Sequence, residues 1–162
     1  MKEYKNWLLT SEDHTARLIL NRADQNNSLP QDVFYELRDI SHELNACDDI
    51  WVVVMQGAGR HFSVGLDLGF LDQMVEMSKE TFGDTAVDLL DCLNAFEAIE
   101  KPTIARLHGF CVGGGLVLAL CCDFRIAARR TVLGLPEVKR GLVAIGGTHR
   151  VTRTVGVGQP KK

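Results

Sequence analysis

Two glycine-rich turns are the parts of this chain best equipped for chemistry. One lies in "GAGRHFSVGLDLGFL", residues 57–71, and the other in "HGFCVGGG", residues 108–115. Each follows an apolar stretch that reads as a strand and leads into one that reads as a helix. Each therefore presents unbonded backbone N–H groups at the carboxyl end of a strand, where α/β sheets bind ligands. A helix N-terminus adds orphan donors and a dipole that favours negative charge. Neither turn has G-x-G-x-x-G with an acid on a following strand, and no Gly-Lys-Ser/Thr occurs, which excludes dinucleotide and Walker-type sites. What remains is a pair of turns suited to one oxyanion rather than to a polyphosphate.

Side-chain chemistry is sparser. No Ser-His-Asp arrangement can be placed, and His61 and His108, which flank the turns, read as packing or surface residues. The five cysteines are an odd number without a C-x-x-C pair. Cys121 and Cys122 sit in an apolar run and read as buried thiols of a reducing compartment. Zinc spacings are absent, so no metal is expected.

The elements that must position the turns follow from hydrophobic pattern. "ARLILN" (16–21) and "WVVVMQG" (51–57) read as buried strands. Between them Ser28 and Gln31 form a capping-box pattern, Pro30 falls in a first helical turn, and Val33, Leu37, Ile40 and Leu44 follow at helical spacing. Strand, helix, strand predicts a parallel sheet. Residues 84–99 place Leu89, Leu93 and Phe96 on one helical face that stops at Lys101-Pro102. "TIARLHG" (103–109) and "FRIAA" (124–128) read as further strands, with a short helix after the glycines. The prediction is one α/β domain over residues 1–162.

A net charge of −3 and a pI near 5.9 give no basic footprint for nucleic acid. The N-terminal "MKEYKNWLLTSEDHTARLIL" has no apolar core of a secretory signal. The longest nearly uncharged run, Leu107–Cys122, is shorter than the roughly 20 residues of a membrane span. A soluble intracellular protein is expected, with mitochondrion, peroxisome and bacterial cytoplasm undistinguished.

Taken together, "HFSVGLDLGFL", "GFCVGGGLVLALCCDFRIAA" and "LGLPEVKRGLVAIGGTHRVTRTVG" resemble the crotonase superfamily of enoyl-CoA hydratases and isomerases. "LILNRADQNNSL" resembles its N-terminal strand and loop. The resemblance implies an α/β spiral of ββα repeats that binds acyl-CoA thioesters, with no cofactor beyond the coenzyme A carried by the substrate. It also implies an oxyanion hole made by the amides of Leu66 and Gly114, where a side chain at position 114 would block the thioester. Ser63, Gly65, Asp67, Leu68, Gly113, Val117 and Pro136 fall at its substrate-binding positions. Asp67 and Asp123 match acidic positions of the family and read as loop and cap hydrogen bonders. "QMVEM" (73–77) either lines the acyl pocket or is helix core.

Hydratases of this family use two glutamates. The "PE" pair supplies one here, Glu137, but the position two residues beyond the last glycine is Val117. The dienoyl-CoA isomerase pattern would need an aspartate where Ile145 stands. One carboxylate suffices for an enoyl-CoA isomerase, in which Glu137 would move a proton between C2 and C4. The alternatives are a hydratase with altered catalytic residues, or a catalytically weak protein that binds acyl-CoA or joins full-length subunits. The ending "VTRTVGVGQPKK" precedes the C-terminal helices with which family members continue. A chain lacking that helical region would expose the apolar face of residues 140–156 and associate into a trimer-type homo-oligomer or with full-length subunits.

Overall fold

The computed structural model describes residues 3–157. β1 (Trp7–Glu12) pairs antiparallel with β2 (Thr15–Leu20). Thereafter the chain repeats one motif: a strand of the main sheet, a very short strand of a second layer, then a helix. The turns are β2, β3 (Ser28–Leu29) and α1 (Gln31–Asn45); then β4 (Val52–Gly57), β5 (Gly65–Leu66), α2 (Leu68–Glu76) and α3 (Lys79–Glu97). They continue with β6 (Thr103–Leu107), β7 (Phe110–Val112) and α4 (Gly114–Leu120), and then β8 (Phe124–Ala127), β9 (Val132–Gly134) and α5 (Gly147–Val155). This is the spiral of ββα repeats that the resemblance implies.

The main sheet has the order β1-β2-β4-β6-β8 and is parallel from β2 onward. Its strands alternate as a sheet covered on one face should. Ala16, Leu18, Leu20, Val53, Met55, Ala105 and Leu107 are buried, while Arg17 and Arg106 face outward. The inward face shares one core with Val33, Leu37, Ile40 and Leu44 of α1 and Leu89, Leu93 and Phe96 of α3. The outward face leaves Phe124 and Ile126 of β8 61% and 63% exposed. The expected exposed stretch near the end of the chain is present too, with Val143 80% exposed.

β2, β4, β6, β8 and α1 form where the sequence pattern places them, and α3 covers the expected face but begins earlier, at Lys79; β1 is a strand that the sequence reading did not mark. The capping box does not form. Ser28 is not the N-cap of α1: that position is Pro30, with no side-chain cap. Ser28 and Leu29 instead pair in parallel with Gly65 and Leu66. Their backbone is extended for that ladder, and the Ser28 hydroxyl donates to Asp67 Oδ2 at 2.9 Å. Gln31 Nε2 donates to the Tyr35 hydroxyl rather than reaching back to a cap.

α5 is fixed to α3 by a buried cation. Arg150, 1% exposed, donates from Nε to Glu97 Oε2 at 2.8 Å, from Nη2 to Asn94 Oδ1 at 2.7 Å and from Nη1 to Gly146 O at 3.0 Å. Arg153 pairs with the other oxygen of Glu97. Removing Arg150 takes away three hydrogen bonds and leaves Asn94 Oδ1 and Gly146 O without this donor, although Glu97 keeps Arg153. Arg150→Ala is expected to lower unfolding stability by about 1–3 kcal/mol in a urea titration; an unchanged midpoint would mean that the guanidinium does not hold α5.

Candidate active site

The short second-layer strands bring the two glycine turns face to face. Asp67 N donates to Leu29 O at 3.1 Å. In a parallel ladder, Leu66, which lies opposite Leu29, then turns its own N–H away from β3. β7 lies on that far side, because Ser63 bridges to Cys111. Gly65 packs against the second turn so closely that a Cβ there would lie 3.0 Å from Val112 O and 3.3 Å from Gly114 N. Gly114 opens α4, so its N–H has no intrahelical partner.

Two of the three consecutive glycines are required by the chain itself, each for a different reason. Gly113 adopts φ 56° and ψ −132°, a combination open in practice only to glycine, and donates its N–H to Gly134 O at 2.9 Å. A Cβ on it would lie 2.7 Å from Glu137 Oε1. A Cβ on Gly115 would lie 2.6 Å from Ser63 Cβ. At Gly114 a Cβ would meet only the ends of Leu29 and Leu66, at 3.2 and 3.6 Å. Within the chain itself, the tightest contacts therefore fall on Gly113 and Gly115 rather than on Gly114.

A cleft of about 460 Å³ opens beside these turns. Val64 to Leu68 and Leu71 form one wall, and Gly113, Pro136, Glu137 and Leu142 form the other, with Gln25, Asn26 and Ser28 at its edge. Glu137 stands in a 3₁₀ turn, Pro136–Arg140, closed by Leu142 N donating to Glu137 O at 3.0 Å. Its Oε2 is buried and has no hydrogen-bond partner among the described residues. A buried carboxylate oxygen without a donor is costly in a native fold and calls for a ligand or a chemical role.

Asp67, the other carboxylate on the cleft, is fully committed. Its Oδ1 accepts from Gly69 N at 3.0 Å and Phe70 N at 3.4 Å, capping α2, and its Oδ2 accepts from Ser28. Asp123 likewise ties β6 to β8 by accepting from Thr103 N and Oγ1, both at 2.8 Å. Leu68 and Pro136 reach the cleft, but Ser63 and Val117 are not on its walls. Ser63 is fully buried beneath β5, and Val117, 2% exposed, packs near Gly147 in the core. Ile145 lines a separate groove between α3 and α5. Met74 is buried in the core and Met77 packs against it, its sulfur accepting from the Thr85 hydroxyl, while Val75 is 75% exposed; neither methionine lines the cleft. Sequence reasoning passed over Leu71, Leu142 and Asn27. Asn27 carried a signal: it is one of two adjacent asparagines, both left-handed, at φ 52° and 56°.

His61 is a packing residue. Its Nδ1 accepts from Phe110 N at 3.1 Å, and its ring lies 4.8 Å from that of Phe110. Burial, then the charges of Arg60 and His108, lower its pKa. Burial pushes the Cys111 thiol up to about 12 and Cys121 up to about 11, so both are inert.

These features can be set beside known proteins. A family model described as enoyl-CoA hydratase/isomerase matches residues 11–161. The chain belongs to that family. The crotonyl-CoA hydratase of Syntrophomonas wolfei is 37% identical over 161 residues, covering 98% of this chain and 61% of that protein. The short-chain-enoyl-CoA hydratase of Clostridium acetobutylicum is 33% identical, with 99% and 61% covered. The crystal structure of an enoyl-CoA hydratase from Bacillus anthracis superposes with a TM-score of 0.87 at 33% identity, over 97% of this chain and 61% of that one. The chain thus spans about three fifths of the length of these family members. No helix among the described residues is long and apolar enough to cross a membrane.

Two outcomes follow. Gly113→Ala forces a non-glycine residue into a strained conformation and should cost about 1–3 kcal/mol in denaturant unfolding, well above the cost of Gly114→Ala. His61, neutral in the fold with a lowered pKa, contributes stability that is complete above its unfolded pKa of about 6.5 and is lost as pH falls below it. The stability difference between wild type and His61→Gln, followed by thermal unfolding, should therefore shrink on acidification.

Proposed function

We propose that this chain acts on acyl-CoA thioesters as an enoyl-CoA isomerase, with Glu137 as its only acid–base group and the amides of Leu66 and Gly114 as oxyanion donors. The observation that carries this reading is the buried, unpartnered Oε2 of Glu137 beside Gly113, on a cleft whose one other carboxylate is engaged as a helix cap. With a 3-enoyl-CoA bound, Glu137 takes the proton from C2, and the electron pair moves into the thioester to give a dienolate. The two amides hold the enolate oxygen; the proton returns to C4 and leaves the double bond between C2 and C3. Proton transfer by a placed side chain contributes about 10²–10⁴ in rate. Leu66 and Leu71 on one wall and Leu142 on the other give the cleft an apolar lining suited to an aliphatic chain.

The names of the relatives favour a second reading, hydration of a 2-enoyl-CoA. It requires a second group to hold the attacking water, and at position 117 the chain has a buried valine. Supplying 3-enoyl-CoA and 2-enoyl-CoA separately distinguishes these. Double-bond migration in wild type, reduced about 10²-fold or more in Glu137→Gln, supports the isomerase. Hydration of 2-enoyl-CoA without migration supports the second reading. Saturable acyl-CoA binding without turnover of either ester would reduce the protein to a binding module.

A further inference from the structure

We infer that Asn27 and Ser63 are positioning residues for the Leu66 amide, acting through buried hydrogen bonds rather than by touching the thioester. The inference rests on the oxyanion role proposed above. Among the described residues no side chain accepts from Leu66 N–H; its direction is set by the peptide groups on either side of it. On one side, Gly65 N donates to Ser63 Oγ at 3.2 Å. On the other, Asp67 N donates to Leu29 O at 3.1 Å. The first of these anchors is a side chain, and it is itself held: Ser63 Oγ donates to Asn27 O at 2.7 Å.

Asn27 fixes the rest of the turn. Its Nδ2 donates to Ala58 O at 2.8 Å and to His61 O at 2.7 Å, and its Oδ1 accepts from Arg22 N at 3.0 Å. Asn27 and Ser63 are both 0% exposed, so water cannot replace these bonds. Asn27 also holds φ 56°, the kind of strained conformation that surrounding structure must over-determine. Its contacts span residues 58–63, the segment that enters β5, and so meet that demand. The glycines at both ends agree. A Cβ on Gly57 would lie 2.8 Å from Asn27 Nδ2, and one on Gly115 would lie 2.8 Å from Ser63 Oγ. The hydroxyl is therefore boxed in where it can accept from Gly65 and donate to Asn27 at once.

Bulk stability and amide direction are separable by experiment. The test uses the whole chain with a short 2-enoyl-CoA labelled with ¹³C at the thioester carbonyl, and reads the carbonyl stretch on binding by difference infrared spectroscopy. Wild type is expected to shift the stretch to lower frequency, and Glu137→Gln to keep that shift. Ser63→Ala should bind the ester within about threefold of wild type, lose at least half of the shift, and lose roughly 10–10² in kcat for double-bond migration, as for a misaimed oxyanion donor. Ser63→Cys, which keeps a weaker hydrogen-bonding group, should fall between them and serves where the alanine variant does not fold. A folded Ser63→Ala protein with the full shift and unchanged kcat would overturn the positioning role while leaving the oxyanion reading intact. No shift in wild type with ester bound would overturn both.

Discussion

Two residues pair with two across a gap in the sequence of more than thirty positions, and the candidate site depends on that pairing. Ser28 and Leu29 run parallel to Gly65 and Leu66. A ladder this short cannot stand alone. It is supported by the Asn27 contacts to residues 58, 61 and 63 on one side and by the Ser28–Asp67 bond on the other. The main sheet makes the pairing possible, because β2 and β4 are register-locked neighbours that deliver the two segments to the same edge. The second turn arrives by the same route, one strand further along, from β6. Three adjacent parallel strands thus each launch one segment into the second layer, and the cleft forms where those segments meet.

Much of this was legible in sequence, and the illegible part has a common cause. β2, β4 and β6 are apolar runs long enough for burial to dictate their pattern, β8 is an apolar run that the sequence marks although its apolar side chains stay exposed, and α1 and α3 carry clear stripes. β3, β5, β7 and β9 are only two or three residues long, too short to show any period. Ser28-x-x-Gln31 met the criteria of a capping box, yet tertiary pairing took the serine for a strand and left the helix to begin behind a proline. The glycine triplet pointed to close approach without saying of what. Gly113 yields to the Glu137 carboxylate and Gly115 to Ser63, contacts between residues far apart in sequence that spacing alone does not encode. The resemblance fixed the order of the motifs and the place of Glu137, but it could not say that Ser63 and Val117 would lie beneath the cleft instead of on it.

The two carboxylates at the cleft show how environment assigns roles to like groups. Asp67 sits at a helix N-terminus with backbone donors on one oxygen and a hydroxyl on the other, so its charge is already satisfied. Glu137 sits on a 3₁₀ turn with one oxygen close to Gly113 and the other without a donor among the described residues. A carboxylate with spare acceptor capacity at a buried position is free to take up a proton or a polar group that enters the cleft. One with none is a structural strut. Residue type does not separate these two acids; the donors that each backbone brings to them do.

Glu137 must nonetheless be held, and the element that holds it is far from the cleft. The segment from Pro136 to Gly146 runs between β9 and α5, so its course is set by where those two elements are fixed. β9 is secured to β7 by a parallel ladder, and Gly134 O receives the N–H of Gly113 itself. α5 is secured by Arg150, which reaches α3 through Glu97 and Asn94 and also closes onto Gly146 O at the end of the segment. The carboxylate is therefore suspended between a strand that hydrogen-bonds the glycine turn and a helix clamped by a buried guanidinium. A buried charge is an expensive way to fasten a helix, but α5 buries only Gly147 and Arg150 and has no buried apolar side chain to do it instead. A guanidinium bound at three points fixes the rotation of α5 as well as its distance from α3, and so fixes where the segment that carries residue 137 must end.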